Sequence, residues 1–219
     1  MRALVLLAAL PLAAPAQAPR DWSAHVTAGA NGAWTIGNPA ARVRLSEWAS
    51  YTCSHCAEFA EQSQGVLKER MIRSGSTSLE VRHLIRDPLD LAAVAVARCG
   101  GPRGFPRRHH AIFAAQPKWI AQGAAFLQAN GPALGKLAQP VAFRRIADGA
   151  GLTAIGQANG LTAPQLAACF APAALAALTK LGTPPAEVTG TPTFYLNGKL
   201  VTGVDWAGLQ PMLTAAGAR

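Results

Sequence analysis

Residues 42–71 place the strongest constraint on how this chain folds. Arg42–Trp48 alternates in polarity, with Val43, Leu45 and Glu47 on one side, which is a strand pattern. Cys53 and Cys56 follow within a few residues, separated by Ser54 and His55. Beyond them Phe59, Ser63, Val66, Leu67 and Met71 recur at helical spacing, and Gly75 ends the helix. A Cys-x-x-C pair therefore stands where a strand gives way to a helix. Such a pair can clip a metal, tether a haem, form a structural disulfide or cycle between dithiol and disulfide.

The surrounding residues sort these chemistries. A structural zinc site wants four Cys or His ligands, commonly in two clipped pairs. The chain has one Cys-x-x-C, and its other cysteines, Cys99 and Cys169, are isolated. Haem attachment needs a His directly after the second cysteine, and residue 57 is Ala. A purely structural disulfide across two residues closes a tight, strained loop. The redox reading draws on position. Unpaired N–H groups and the helix dipole stabilise an anion at a helix N-terminus. Cys53 is placed to ionise, with a pKa below the ordinary value. His55 can add a charge or an N–H donor, and Ser54 a hydroxyl. Cys56, one turn in, is expected to be the less exposed, resolving thiol. A stabilised thiolate makes the disulfide form the stronger oxidant.

The N-terminus bears on redox compartment. Arg2, the apolar run Ala3–Leu12 and Ala16-Gln17-Ala18 read as the n-region, h-region and cleavage site of a leader spanning residues 1–18. An exported chain meets conditions that permit disulfides. There is no Asn-x-Ser/Thr sequon, so a periplasmic location is expected. Removing Arg2 with the leader leaves 19 basic against 11 acidic residues. The basic residues are scattered. The densest cluster, Arg103, Arg107 and Arg108 before His109 and His110, has no interleaved aromatics, so no nucleic-acid site is expected.

Along the rest of the chain, residues 19–31 read as a loosely packed lead-in, and Ala33–Ile36 as a short edge strand. Leu79–Ile85 is a further strand, closed by Asp87-Pro88. The stretch from Leu89 to about Leu181 is rich in Ala and Leu and punctuated by Gly and Pro. Leu89, Ala92, Ala93 and Val96 make one helical face, stopped at Gly100-Gly101. Further helices are expected from Phe105 or Pro106 to Ala115 and over 121–129, 139–149 and 163–180. The last is broken at Pro172, which lacks the N–H a helix needs. Strands return at Thr193–Leu196 and Leu200–Val204 around Asn197-Gly198, a hairpin signal. Asp205 can cap a final helix burying Trp206, Leu209 and Leu213. The helical block reads as an insertion, because the terminal hairpin needs the earlier strands to complete a sheet.

"YTCSHCAEF" after "RVRLSEW", with "GTPTFYLNGK" near the C-terminus, resembles the DsbA-like branch of the thioredoxin superfamily over most of the chain. The resemblance implies an α/β thioredoxin-like fold of residues 19–87 and 182–219 with an inserted helical domain, 88–181. It implies an exposed nucleophile at Cys53, a buried partner at Cys56 and a potential-tuning His55. It also implies a cis-proline at Pro192, with Thr191 before it offering backbone bonds to an extended client. Glu47, six residues before Cys53, matches a buried acid that assists proton transfer; as a strand residue alone it reads equally as solvent-facing. Ser54 departs from the proline of the best-known oxidases. The function implied is a monomeric protein disulfide oxidoreductase without cofactor or metal. Its clients are reduced exported proteins, and a membrane quinone-linked oxidase reoxidises it. A reductase or isomerase is the alternative, and isomerases of this type carry an N-terminal dimerisation domain for which about 14 residues leave no room. A non-catalytic metal or peptide binder is a more distant alternative. For Cys99 and Cys169 the expectation is a disulfide pinning the helical block, against free buried thiols or a second catalytic pair.

Overall fold

The computed structural model describes residues 20–219 except residue 30; the expected leader lies outside them. The described strands form one six-stranded sheet in the order β1-β2-β4-β3-β5-β6. They are β1 (Val26–Ala28), β2 (Trp34–Gly37), β3 (Val43–Ala49), β4 (Thr77–His83), β5 (Thr193–Leu196) and β6 (Lys199–Val201). Central β3 runs parallel to β4 and antiparallel to β5. One face, Val43, Leu45, Glu47 and Ala49, is buried; on the other Trp48 is buried, Ser46 half-buried and Arg44 exposed.

The link from β3 to β4 is a long helix. It begins as α1 (Ser54–Ser63) and continues as a π-helical stretch, Gln64–Ile72. Gly75 turns the chain back with φ +80°; a Cβ there would stand 2.7 Å from the Trp22 ring, so only glycine fits. At the other end of the chain, Asn197 (φ 50°) and Gly198 (φ 82°) form the β5–β6 hairpin turn.

Between β4 and β5 lie α2 (Pro88–Arg98), α3 (Phe105–Ala114), α4 (Gln116–Leu134), α5 (Gln139–Gly149), α6 (Leu152–Ala158), α7 (Ala163–Cys169) and α8 (Pro172–Leu181). Helix α2 is their hub. Every residue from Leu89 to Ala97 is buried, not the single expected face, because its alanines allow α3, α5, α6 and α8 to approach from several sides. The expected 163–180 helix is α7 and α8, bent by 61° at the break before Pro172. Cys99 and Cys169 are joined by a disulfide with a Cα–Cα distance of 5.5 Å. That bond ties the end of α2 to α7. The final helix α9 (Trp206–Ala215) starts on Asp205, whose carboxylate accepts the Gly208 N–H at 2.9 Å, and it buries Trp206, Leu209 and Leu213.

Three local expectations are corrected. The lead-in is not loose throughout: β1 pairs antiparallel with β2, Val26 opposite Ile36. Three residues are too few to show alternation. Helix α4 is twice the length expected for 121–129 and contains Pro132; its early residues are satisfied by packing rather than by periodicity. Helix α6 was not anticipated; its Gly156 approaches Val96 and Leu161, which hides it from a pattern of large apolar residues.

Candidate redox site

Strand β3 ends in the turn Ser50–Thr52, and Cys53 is the N-cap of α1, with extended backbone angles. This sets Cys53 at the mouth of the helix and Cys56 one turn inside it. Both are free thiols. Cys56 has no exposed surface and Cys53 only 5%. The resemblance implied an exposed Cys53; the structure instead lays the Thr191 carbonyl against it. The Cys53 thiol donates to that oxygen at 3.2 Å. Thr191-Pro192 is a cis peptide, so Pro192 sits beside the pair.

The two thiols are driven apart electrostatically. A hydrogen bond from the Cys56 thiol lowers the Cys53 pKa to about 5, against the opposing effect of burial. The Thr191 hydroxyl and the backbone N–H groups of Cys56 and His55 add to the lowering. That hydroxyl is buried and has no hydrogen-bond partner while Cys53 is a thiol, so it is free to donate to the thiolate. Cys56 is pushed far up, first by its bond to Cys53, then by burial and by the nearby Glu47 charge. One thiol ionises readily and the other holds its proton.

Glu47 is 1% exposed, and its Oε1 has no hydrogen-bond partner. The solvent-facing reading is therefore wrong. Its neighbours across the sheet, Val81 and Phe194, offer nothing polar to pair with it. Burial raises its pKa to about 8, and the charge on Cys53 raises it further. A cavity of about 50 Å³ adjoins it, lined also by Phe59, Lys68, His109 and His110.

His55 differs from expectation. Its imidazole is largely exposed and lies 3.2 Å from Glu58 Oε2; its backbone N–H is what bears on Cys53. On the Pro192 side a groove of about 420 Å³ runs past His55, Phe59, Phe194, Val204 and Trp206. Phe59 packs on Phe194 at 4.7 Å between ring centroids.

The residues that hold the turn before Cys53 were not anticipated. Gln116 Nε2 donates to the carbonyls of both Tyr51 and Cys53 at 2.8 Å. Asp90 accepts from the Ser50 hydroxyl and from the Tyr51 N–H, and Asp87 from the Thr52 hydroxyl at 2.6 Å. Burial raises the Asp90 pKa to about 6 despite these bonds. The Tyr51 hydroxyl pairs with His109 Nδ1 at 2.8 Å. All these partners lie 35 to 65 residues away in the chain, so no spacing pattern signals them. The one available cue was Asp90 within the apolar run of α2. Among the described residues, no three His, Cys, Asp or Glu side chains gather as metal ligands.

A family model described as Thioredoxin matches residues 30–215. A Rickettsia conorii protein that carries the provisional name protein-disulfide oxidoreductase is 29% identical over 168 residues, 74% of this chain and 52% of its own length. The chain thus spans about half the length of the curated relatives it matches. The crystal structure of a protein-disulfide isomerase from Novosphingobium aromaticivorans is similar at 34% identity and a TM-score of 0.72, covering 83% of this chain and 95% of that one. Wolbachia pipientis alpha-DsbA1 shares the fold at 20% identity and a TM-score of 0.51, over 86% and 92% of the two chains.

Proposed function

The chain belongs to the thioredoxin family, and from that premise we propose that it is a DsbA-type thiol–disulfide oxidoreductase donating its Cys53–Cys56 disulfide to exported client proteins. The observation that carries this reading is the opposed ionisation of the two thiols beside the Thr191-Pro192 edge.

In the oxidised protein a client thiolate attacks Cys53 Sγ. The S–S bond breaks, a mixed disulfide forms at Cys53, and Cys56 leaves with the electron pair. Cys56 then needs a proton, because its thiolate is strongly disfavoured. Glu47, protonated at neutral pH and close enough for its charge to act on Cys56, is the proposed source. A second client thiolate attacks the client sulfur of the mixed disulfide. The client leaves oxidised, and Cys53 departs as the favoured thiolate. The groove lined by Phe59, Pro192 and Phe194 suits an extended client segment with apolar side chains.

The leader at residues 1–18 supports a periplasmic site of action. Net oxidation requires an external electron acceptor; by family resemblance this is a membrane quinone-linked oxidase. The clients are reduced, incompletely folded exported proteins, and the protein acts as a monomer.

A second reading, disulfide isomerisation, is favoured by the name of the Novosphingobium relative. There the reduced protein starts the cycle, with the Cys53 thiolate attacking a wrong client disulfide. The oxidised protein is to be incubated with a reduced unfolded disulfide protein, and the reduced protein with a scrambled one. Oxidation of the first client, lost in Cys53→Ala, supports the donor reading. Repair of the scrambled client without net oxidation supports the isomerase. No transfer in either assay sinks both.

A further inference from the structure

The parallel strands β3 and β4 end side by side, with Trp48 opposite Arg82 and Ala49 opposite His83. In open sheets, ligands gather beyond the carboxyl ends of parallel strands. A pocket of about 300 Å³ opens at this end, bounded also by Gly32 and by Lys180 at the end of α8. Cys53, Cys56 and Pro192 do not line it, so it is separate from the redox site.

Its polar lining lacks partners. His83 is 3% exposed, and neither of its ring nitrogens has a hydrogen bond. Buried ring nitrogens are ordinarily satisfied. Arg98 reaches in from the end of α2, donating to the Gly32 carbonyl at 2.6 Å and stacking on the Trp34 ring at 3.8 Å. Among the described residues no carboxylate pairs with it. Guanidinium carries five N–H donors, so most remain available. Lys180 is likewise unpaired, whereas Arg82 is held by Glu80 at 2.7 Å. No Asp or Glu lines the pocket. A half-buried cation without an anion is an electrostatic cost that a bound anion relieves.

We propose that this pocket binds a small oxyanion, the phosphate or carboxylate group of a low-molecular-weight ligand, between Arg98 and Lys180, with the buried His83 ring behind Arg98 as a reporter of occupancy. The Arg98 fork suits two parallel bonds to such a group. Lys180 supplies a mobile charge at the rim. This inference is independent of the thiol chemistry.

The test follows the imidazole C–H resonances of the full chain by NMR, with His83 assigned from a His83→Gln variant. Inorganic phosphate, acetate and chloride are titrated separately at matched ionic strength. A saturable His83 shift is expected with phosphate, acetate or both and not with chloride; the anion that saturates identifies the group recognised. Arg98→Met should weaken binding at least ten-fold. Because Arg98 also stacks on Trp34, exposed Lys180→Gln serves as the second variant, expected to weaken binding a few-fold with Tm unchanged. Shifts that stay linear and match chloride overturn the proposal, as does saturation unaltered in both variants.

Discussion

The Cys53 sulfur lies 3.2 Å from the carbonyl oxygen of Thr191, 138 residues further along the chain. One residue thus faces the thiol with two different groups, a carbonyl that accepts from it and a hydroxyl that lowers its pKa. When the thiol ionises, the carbonyl loses its donor and the hydroxyl gains an acceptor. Thr191→Val keeps the shape and removes only the hydroxyl. The pH midpoint of Cys53 alkylation in the reduced protein is expected near 5 in the wild type. In the variant it should rise by roughly half to one unit, a modest share of a hydrogen bond to a charged group because the Cys56 thiol and two backbone N–H groups still support the thiolate. An unmoved midpoint would show that the hydroxyl does not support the thiolate.

Glu47 predicts a stability change with a definite sign. Its folded pKa is raised from 4.5 to about 8, chiefly by burial. The folded state therefore holds a proton that the unfolded state releases near pH 4.5. Stability is complete below that value and is lost as pH rises towards 8. Glu47→Gln removes this loss. Measured on the oxidised protein, where the cysteines do not titrate, the variant should match wild type near pH 4. It should exceed wild type by on the order of 2–4 kcal/mol at pH 8. The midpoint should fall somewhat below that of the reduced protein, since the Cys53 charge is then absent. Denaturant curves at several pH values check this. The same variant should slow reduction of the enzyme disulfide, because Cys56 loses its proton source.

What could be read from the residues follows their distance in the chain. The Cys53–Cys56 turn, the Asn197-Gly198 hairpin and the Asp205 cap are encoded within a few positions, so local chemistry specifies them. The β5 bounds, Thr193–Leu196, and those of α5, Gln139–Gly149, were legible for the same reason. Glu47 stood undecided because alternation assigns a side of a strand and not what covers it. Alternation put Glu47 on the face of Val43 and Leu45, which is the buried face, while its charge argued for solvent. The π-helical stretch Gln64–Ile72 leaves apolar spacing nearly unchanged and was invisible to periodicity. Gln116, Asp90 and Asp87 act across the fold, and only the packed structure brings them to the turn.

The Cys99–Cys169 bond spans 70 residues and lies outside the Cys53–Cys56 turn. Closing a loop of that length stabilises the fold by about 4 kcal/mol on the chain-entropy argument. The double variant Cys99→Ala/Cys169→Ala should lose roughly that amount in urea or guanidinium unfolding. Its Cys53 alkylation midpoint should stay where it is. A shifted midpoint would instead tie this bond to the redox pair.

Gln116 supplies the last prediction. It opens α4, is 5% exposed, and spans the carbonyls on either side of Thr52. The Cys53 carbonyl also accepts from Ala57 N at 3.3 Å, so it keeps a partner if Gln116 is lost. The Tyr51 carbonyl has no other described partner. Gln116→Ala should therefore cost about 1–3 kcal/mol, the penalty of one buried unsatisfied acceptor. Amide exchange at Thr52 and Cys53 should quicken more than at β3, because the turn loses its tether while the sheet ladder remains intact. Gln116→Glu separates charge from shape. An ionised carboxylate against two carbonyl oxygens repels them, so this variant should be less stable than Gln116→Ala at pH 8. Protonation supplies a single O–H donor and restores one bond, so the order of the two variants should reverse at low pH. Equal stability of the two variants across that range would mean that Gln116 only fills space.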